Sequence, residues 1–419
     1  MRRILSSIVL RTGLLVLLAP LALGQHEDHP DHEPLQKDAG LSFADVLHAA
    51  VLQAPLSLET PVRAQQAEDQ RVAARSWIAG RPALVFSIND DGPLDNAGLQ
   101  EQEYGLQLPL WRLGEMQANR QLGERYSQQV EAWNSYLQWQ LAGELRIVLA
   151  EIEAAEVALE LEQQATATAA ELQAVTEKLL AAGAVARLDL LQVENLLLRQ
   201  QTALLDAEAR LVDAERTYSL LTGLQQRPAS PHREALYAEE EITDTHPALV
   251  YLQSEVGVAE SGVRHSEMIT KGSPQLTIGS RRERGDRLQP YTDSVGVSVN
   301  IPIGGKSIVA ARTSAARREQ ANAEVALLTA RRNLQSSLHE AEHELYVTRQ
   351  SLPLVEQQAA LGEQRRSMAQ AAYAAGEITL AQVLTATQEA ALATYDLHML
   401  QLQEQQLITE YNQFVGVMP

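Results

Sequence analysis

The stretch Leu179-Leu180-Ala181-Ala182-Gly183-Ala184-Val185-Ala186-Arg187-Leu188-Asp189-Leu190-Leu191 decides the fold, because it has an echo. The echo reads Ala372-Tyr373-Ala374-Ala375-Gly376-Glu377-Ile378-Thr379-Leu380-Ala381-Gln382-Val383-Leu384. Gly183 and Gly376 stand 193 residues apart (376 − 183). Each copy closes one long helical pattern and opens another. Glycine alone adopts the left-handed backbone that ends a helix at little cost, so each copy reads as a tight helix–helix turn.

The offset recurs along the chain. Pro109 matches Pro302 and Gly223 matches Gly416, both at 193, while Pro55 matches Pro247 and Pro82 matches Pro274 at 192. One residue was gained or lost in a loop between Pro82 and Pro109, where such changes are tolerated. A period near 193 is far longer than a solenoid unit, so the chain reads as a duplicated half-molecule.

The halves span residues 41–223 and 246–416, joined by 224–245. In each, a shorter helix precedes two period-two stretches. The first pair, within 83–108, puts Leu84, Phe86 and Ile88 on one face of one strand and Tyr104, Leu106 and Leu108 on one face of the other. The second, within 275–301, does so with Leu276 and Ile278, then Val295, Val297, Val299 and Ile301. Prolines bound both hairpins. Strands of this length can cross a bilayer with alternate side chains facing lipid. Four strands cannot close a barrel and open edges cannot exist in lipid, so membrane strands would require several copies to share one barrel. The other reading is a small soluble β-layer packed on helices.

A helix of about 70 residues, from about Leu113 to Ala182, follows the first hairpin and would run about 105 Å. Its apolar stripe (Leu122, Tyr126, Val130, Trp133, Leu137, Leu141, Leu145, Val148, Ile152, Ala155, Leu159) steps by threes and fours, close to a straight helix. A return helix covers Arg187 to Thr222, and the second half repeats the pair from Ser307 to Ala375 and from Leu380 to Val415. Pro353 should kink its helix, yet the unbroken offset on both sides implies that the helix resumes. Residues 228–244, with Pro228, Pro231 and Glu239-Glu240-Glu241, read as a linker or a small girdle layer.

Composition agrees with long helices: aromatics are only 4%, against abundant Ala, Leu, Gln and Glu. The formal charge of −20, or −23 (31 − 54) without the first 24 residues, disfavours nucleic acid as a partner. With no cysteine, thiol catalysis, disulfides and a lipidated N-terminal cysteine are excluded. Residues 1–24 have a basic start, an apolar run and small residues at Ala22 and Gly24, the pattern of a secretory signal peptide. The apolar run is far short of the roughly 20 residues of a membrane-spanning helix. Residues 25–40 form an irregular arm in which His26, His29 and His32 lie among carboxylates. It reads as a solvated acidic segment or as a weak site for a transition metal.

His339-Glu340-Ala341-Glu342-His343 matches the HExxH pattern of zinc proteases, with Glu363 as a tempting third ligand. A continuous helix would put Glu363 about 30 Å away, against a metal–oxygen bond of about 2 Å. The pattern therefore reads as a polar helix face, and no cofactor is expected.

The Tyr373-Ala-Ala-Gly376 turn with Val383-Leu384, the closing Phe414-Val415-Gly416, and the order of hairpins and helices together resemble the TolC-type outer-membrane efflux channel family. The resemblance covers about residues 40–416. The histidine-bearing N-terminus and short C-terminus look most like its heavy-metal efflux branch. It implies a mainly α fold with a small β part: a homotrimer with a twelve-stranded barrel in outer-membrane lipid and a long α-helical barrel in the periplasm of a Gram-negative bacterium. It implies a non-enzymatic exit duct whose turns at Gly183 and Gly376 receive a periplasmic adaptor protein joined to an inner-membrane pump, proton-driven in the metal branch. Drug export and type I protein secretion are the alternatives within the family, and a pore-less helical scaffold the alternative outside it. The family closes its mouth with carboxylate rings and an Asp–Arg–Tyr network. By position Asp189 and Tyr373 are kept, Gln382 and Thr385 replace acids, and Ile378 replaces the arginine. A gate of Asp189, Tyr373, Gln382 and Thr385 is thus less charged. Asp189 also reads simply as a carboxylate favoured at a helix start.

Overall fold

The computed structural model describes residues 34–238 and 241–418. The presumed signal peptide and His26, His29 and His32 lie outside them. Every described helix and strand belongs to the unit that begins at Leu35.

Two helices of unusual length set the frame: α3 (Glu115–Ala181, 67 residues) and α6 (Lys306–Ala374, 69 residues). At 1.5 Å per residue each runs about 100 Å. Pro353 lies inside α6, and the helix continues through it as the repeat requires. α4 (Arg187–Thr222) and α7 (Leu380–Val415) turn back along one end of these helices. α2 (Glu59–Arg75) and α5 (Pro247–Thr270) run along the other. α1 (Phe43–Gln53) packs on α3 and α4. The first short helix of the chain is in fact two. Helix α1 stops at Ala54, before a single 3-10 turn, and Pro61 falls in the first turn of α2, where a missing N–H costs nothing.

The long helices neighbour one another in a layer, with α1 packed on α3 and α4. α5 touches both α3 and α6, and α7 touches both α6 and α3. The main core lies where α1, α3 and α4 meet, around Val46, Leu141, Leu145, Ile152 and the fully buried Tyr218. The stripe read from the sequence of α3 enters it from Leu137 to Leu159, while Trp133 of the same stripe joins Ala132 and Tyr251 of α5 in a separate cluster.

The strands β2 (Ala83–Asp90), β3 (Gln100–Pro109), β5 (Gln275–Arg284) and β6 (Thr292–Asn300) form one antiparallel sheet in that order. Its register aligns the apolar positions into rows. Leu84 faces Leu106, which faces Ile278, which faces Val297. The next row is Phe86, Tyr104, Ser280 and Val295, and on the other side Leu108, Leu276 and Val299. The opposite face carries Glu103 and Arg281 with Ser87 and Ser294, and a row of Val85, Gly105, Gly279 and Gly296. Arg281 is ion-paired to Glu101 (2.6 Å) and Glu283 (2.7 Å) on that polar face. Over these three rows one face is therefore apolar, giving way to Ile88, Gln102, Arg282 and Asp293 in the next row, while the other face is charged and glycine-bearing, and β2 and β6 end the sheet with unpaired edges.

Arg112 ties the sheet's base to the helices: its guanidinium donates to the carbonyls of Gly272 (3.1 Å) and Pro302 (2.5 Å), which border the second hairpin. Trp111 donates to the Ser76 carbonyl at 2.9 Å. The first half thus holds the strand ends of the second hairpin through Arg112, and Trp111 braces its own half.

The connecting segment is the girdle layer. β4 (Gln226–Pro228) pairs in parallel with β1 (Gln36–Asp38), clamping the N-terminal residues across the waist. Arg227 reaches Glu215 (2.7 Å) and Glu156 (2.6 Å), and Lys37 joins the same Glu156. Beyond it, buried Arg146 of α3 grips Glu234 through two hydrogen bonds (2.8 and 3.1 Å) and reaches Gln413 of α7. Asn412 donates to Glu234 at 2.8 Å and His232 lies 2.7 Å from it. Burial works against the charge of Glu234, but bonds from His232, Arg146 and Asn412 and the Arg146 charge outweigh it, holding its carboxyl down to about 2.

Candidate functional site

The far end of the helical layer is built from two hairpins, α3–α4 and α6–α7. Gly183 (φ +74°) and Gly376 (φ +77°) sit at their tips in the left-handed region, with no atom near the place a Cβ would occupy. Backbone bonds close both turns alike: Ala184 N–H to the Leu179 carbonyl and Glu377 N–H to the Ala372 carbonyl, each 2.9 Å. The tips stand free, and only conformation demands glycine there.

Each return helix starts with the same device. The Asp189 carboxylate accepts the N–H of Ala186 at 3.0 Å, and the Gln382 amide oxygen accepts the N–H of Thr379 at 2.9 Å. Both satisfy a backbone donor left over at a helix start. The acid-to-amide exchange between the halves leaves this cap intact. Thr385 donates to the Ala381 carbonyl one turn back (2.9 Å) and is exposed.

Tyr373 is the residue that joins the hairpins. Only 2% exposed, it lies with Leu172 of α3, Val193 of α4, and Leu380 and Val383 of α7. Its hydroxyl sits 3.2 Å from Thr176 Oγ1, which is fully buried. Thr176 donates its own proton to the Leu172 carbonyl at 2.8 Å, so the tyrosine is the donor to Thr176. Among the described residues no hydrogen bond joins Asp189 to Tyr373. The expected four-residue gate therefore divides. Tyr373 locks α6 onto the first hairpin. Asp189 and Gln382 cap their own helices. Gln382 and Thr385 line an open groove of the second hairpin with Arg365, Ala369, Ile378 and Ala386. Sequence reasoning missed Thr176, whose bond to Tyr373 spans 197 residues, and it missed Arg365, which pairs with Glu389.

The HExxH residues lie along one helix with no third ligand gathered beside them among the described residues. His339 and His343 are exposed on α6, and Glu363 is engaged by Arg366 at 2.5 Å. Among the described residues no three His, Asp or Glu side chains come together as a metal site would need. His246, by contrast, is buried: it caps α5 by accepting the Ala248 N–H at 3.1 Å, and burial pushes its pKa down to about 4, so it is neutral at ordinary pH.

The long hairpins and the one-faced sheet are the fold of TolC-like outer-membrane channels, and solved structures bear this out. CusC, from work on its transmembrane channel formation, aligns over 89% of this chain and 92% of its own with a TM-score of 0.70 at 16% identity. The outer membrane protein VceC of Vibrio cholerae aligns over 89% and 96% with a TM-score of 0.71 at 14% identity. The outer membrane channel CmeC of Campylobacter jejuni aligns over 94% and 90% with a TM-score of 0.68 at 13% identity. These neighbours are TolC-family outer-membrane efflux channels. At such identities the likeness is one of fold. No family model matches the sequence, and no curated protein matches it either.

Proposed function

We propose that the chain is one subunit of a homotrimeric exit duct in the outer membrane, passively conducting cargo delivered by an inner-membrane pump through a periplasmic adaptor protein. The observation that carries this reading is the sheet: three rows of apolar side chains on one face, charged and glycine positions on the other, and two unpaired edges. Lipid accepts the apolar face and forbids the edges, so β6 of one copy must pair with β2 of the next until a barrel closes. No helix among the described residues is long and apolar enough to cross a membrane, which leaves that work to the strands. The free tips at Gly183 and Gly376 are the docking turns for the adaptor, and Tyr373, Asp189, Gln382 and Thr385 form the periplasmic mouth. The halves at 41–223 and 246–416 each supply one hairpin to every layer.

The cargo we assign is heavy-metal cations, on the strength of His26, His29 and His32 beside the acids of the N-terminal arm. A drug or a secreted protein is the alternative cargo of the same duct. Purified full-length chain should assemble as a trimer and conduct ions across planar bilayers; a soluble, non-conducting trimer refutes the duct. A deletion strain should lose tolerance to Zn, Cu, Co or Cd salts and keep tolerance to drugs and dyes. Sensitivity to drugs alone refutes the metal assignment and leaves the duct standing.

A further inference from the structure

The internal repeat carries information that one chain does not use. Tyr373 fills a socket made by the first hairpin, with Leu172 and Thr176 from α3, Val193 from α4 and Val185 from the turn. Moving each of these 193 places forward gives Arg365, Ala369, Ala386 and Ile378. Those residues line the open groove of the second hairpin. The groove is thus the second copy of the Tyr373 socket, and among the described residues nothing fills it.

We infer that Leu180 of a neighbouring copy occupies this groove. The inference rests on the several-copy reading of the sheet edges. Leu180 is the residue 193 places before Tyr373, on the equivalent turn of the first hairpin. Within the chain α3 touches α7, so in a ring of alternating hairpins α6 must touch α4 of the next copy. The chemistry changes on both sides together. Where the socket exchanges the Thr176 hydroxyl for the Ala369 methyl, the incoming side chain exchanges the Tyr373 hydroxyl for a leucine. A tyrosine meeting Ala369 would bury an unmatched donor; a leucine does not. Leu191 supports the same contact. Its counterpart Leu384 packs beside Tyr373, while Leu191 itself is 49% exposed and unused.

The mouth therefore alternates two kinds of joint. Joints within a chain are pinned by the Tyr373–Thr176 hydrogen bond. Joints between chains lack that bond: there Leu180 meets Ala369 and Ile378, in a groove whose lining also includes Arg365, Gln382 and Thr385.

Because the chain has no cysteine, a double variant L180C/A369C carries only the two test thiols. After copper–phenanthroline oxidation of the assembled full-length protein, bands at two and three chain masses are expected, and reductant should remove them. Either single variant should give none, and T176C/Y373C should stay at one chain mass. Light scattering on the same sample reports the assembly state separately. A trimer without the ladder overturns this contact and leaves the duct reading intact; a monomer overturns both. If the double variant does not assemble, benzoylphenylalanine at position 369 of the otherwise native chain should photo-cross-link to a peptide containing Leu180 of another copy. Cross-linking only within the chain, or to any other segment, overturns the inference.

Discussion

Replacing Tyr373 with phenylalanine isolates the Tyr373–Thr176 bond, which on the proposed reading pins the mouth. The ring stays in its socket, so no cavity opens, and only the hydroxyl at 3.2 Å from Thr176 is lost. Thr176 keeps its own donor engaged with the Leu172 carbonyl, so the variant leaves no buried donor unpaired. The cost is then the net value of one neutral hydrogen bond, about 1 kcal/mol, rather than the larger penalty of an orphaned group. If the three Tyr373–Thr176 joints of a trimer, one per copy, part together, the losses add to about 3 kcal/mol, roughly a hundredfold rise in the open-to-closed ratio. Single-channel recording reads that ratio, and vancomycin sensitivity reports it in cells. Tyr373→Ala removes the ring as well and costs about 3–5 kcal/mol by the cavity it leaves. A cycle with Thr176→Val separates opening from folding. If Tyr373→Phe and Thr176→Val couple in thermal unfolding but opening frequency is unchanged, the bond is structural only and the gate reasoning fails.

Gly376→Val should lower the melting temperature modestly, since a left-handed backbone costs a branched residue about 1–2 kcal/mol where space itself is free. Trimers should still form while efflux is lost; retained efflux contradicts the docking role, and Gly183→Val is read the same way. Arg146→Ala takes the guanidinium from half-buried Glu234, which keeps its His232 and Asn412 contacts, and should cost about 1.5–3 kcal/mol in thermal unfolding, a loss that Glu234→Gln in the same chain should partly restore. Acid should loosen the girdle. The Glu234 pKa falls from 4.5 to about 2 on folding, so its contribution is complete above pH 4.5 and disappears as pH falls towards 2. It amounts to up to about 3 kcal/mol, and Glu234→Gln should flatten the melting profile across that window.

The sequence discloses what is periodic and local. The two α4-type helices begin and end at the residues where glycine turns and apolar spacing put them, and the sheet register follows from alternate apolar positions. Pro353 is readable as harmless because the repeat crosses it unbroken. What the sequence hides is contact between distant segments of different chemistry. Arg146 gives no sign that Glu234 and Gln413 will meet it, since those bonds span 88 and 267 residues. Its counterpart His339 is exposed, so here the repeat misleads: the connecting segment covers Arg146 on α3, whereas on α6 its Ile242 packs with the neighbouring Leu338 and leaves His339 outside. Asp189 shows the opposite limit. Its place at a helix start is visible in the sequence, but only the geometry reveals that an ordinary cap already employs it.

The two open strand edges bear on how the protein reaches its place. A lone copy cannot enter lipid with unpaired backbone, so insertion and assembly must be a single event. On the trimeric reading proposed above, a chain would have to meet two others before it could insert, and its yield would depend steeply on its own concentration. Mixing follows from the same requirement. When an assembly-competent but blocked variant is expressed alongside the native chain in equal amount, only about one trimer in eight contains no blocked copy. A single damaged allele would therefore act dominantly.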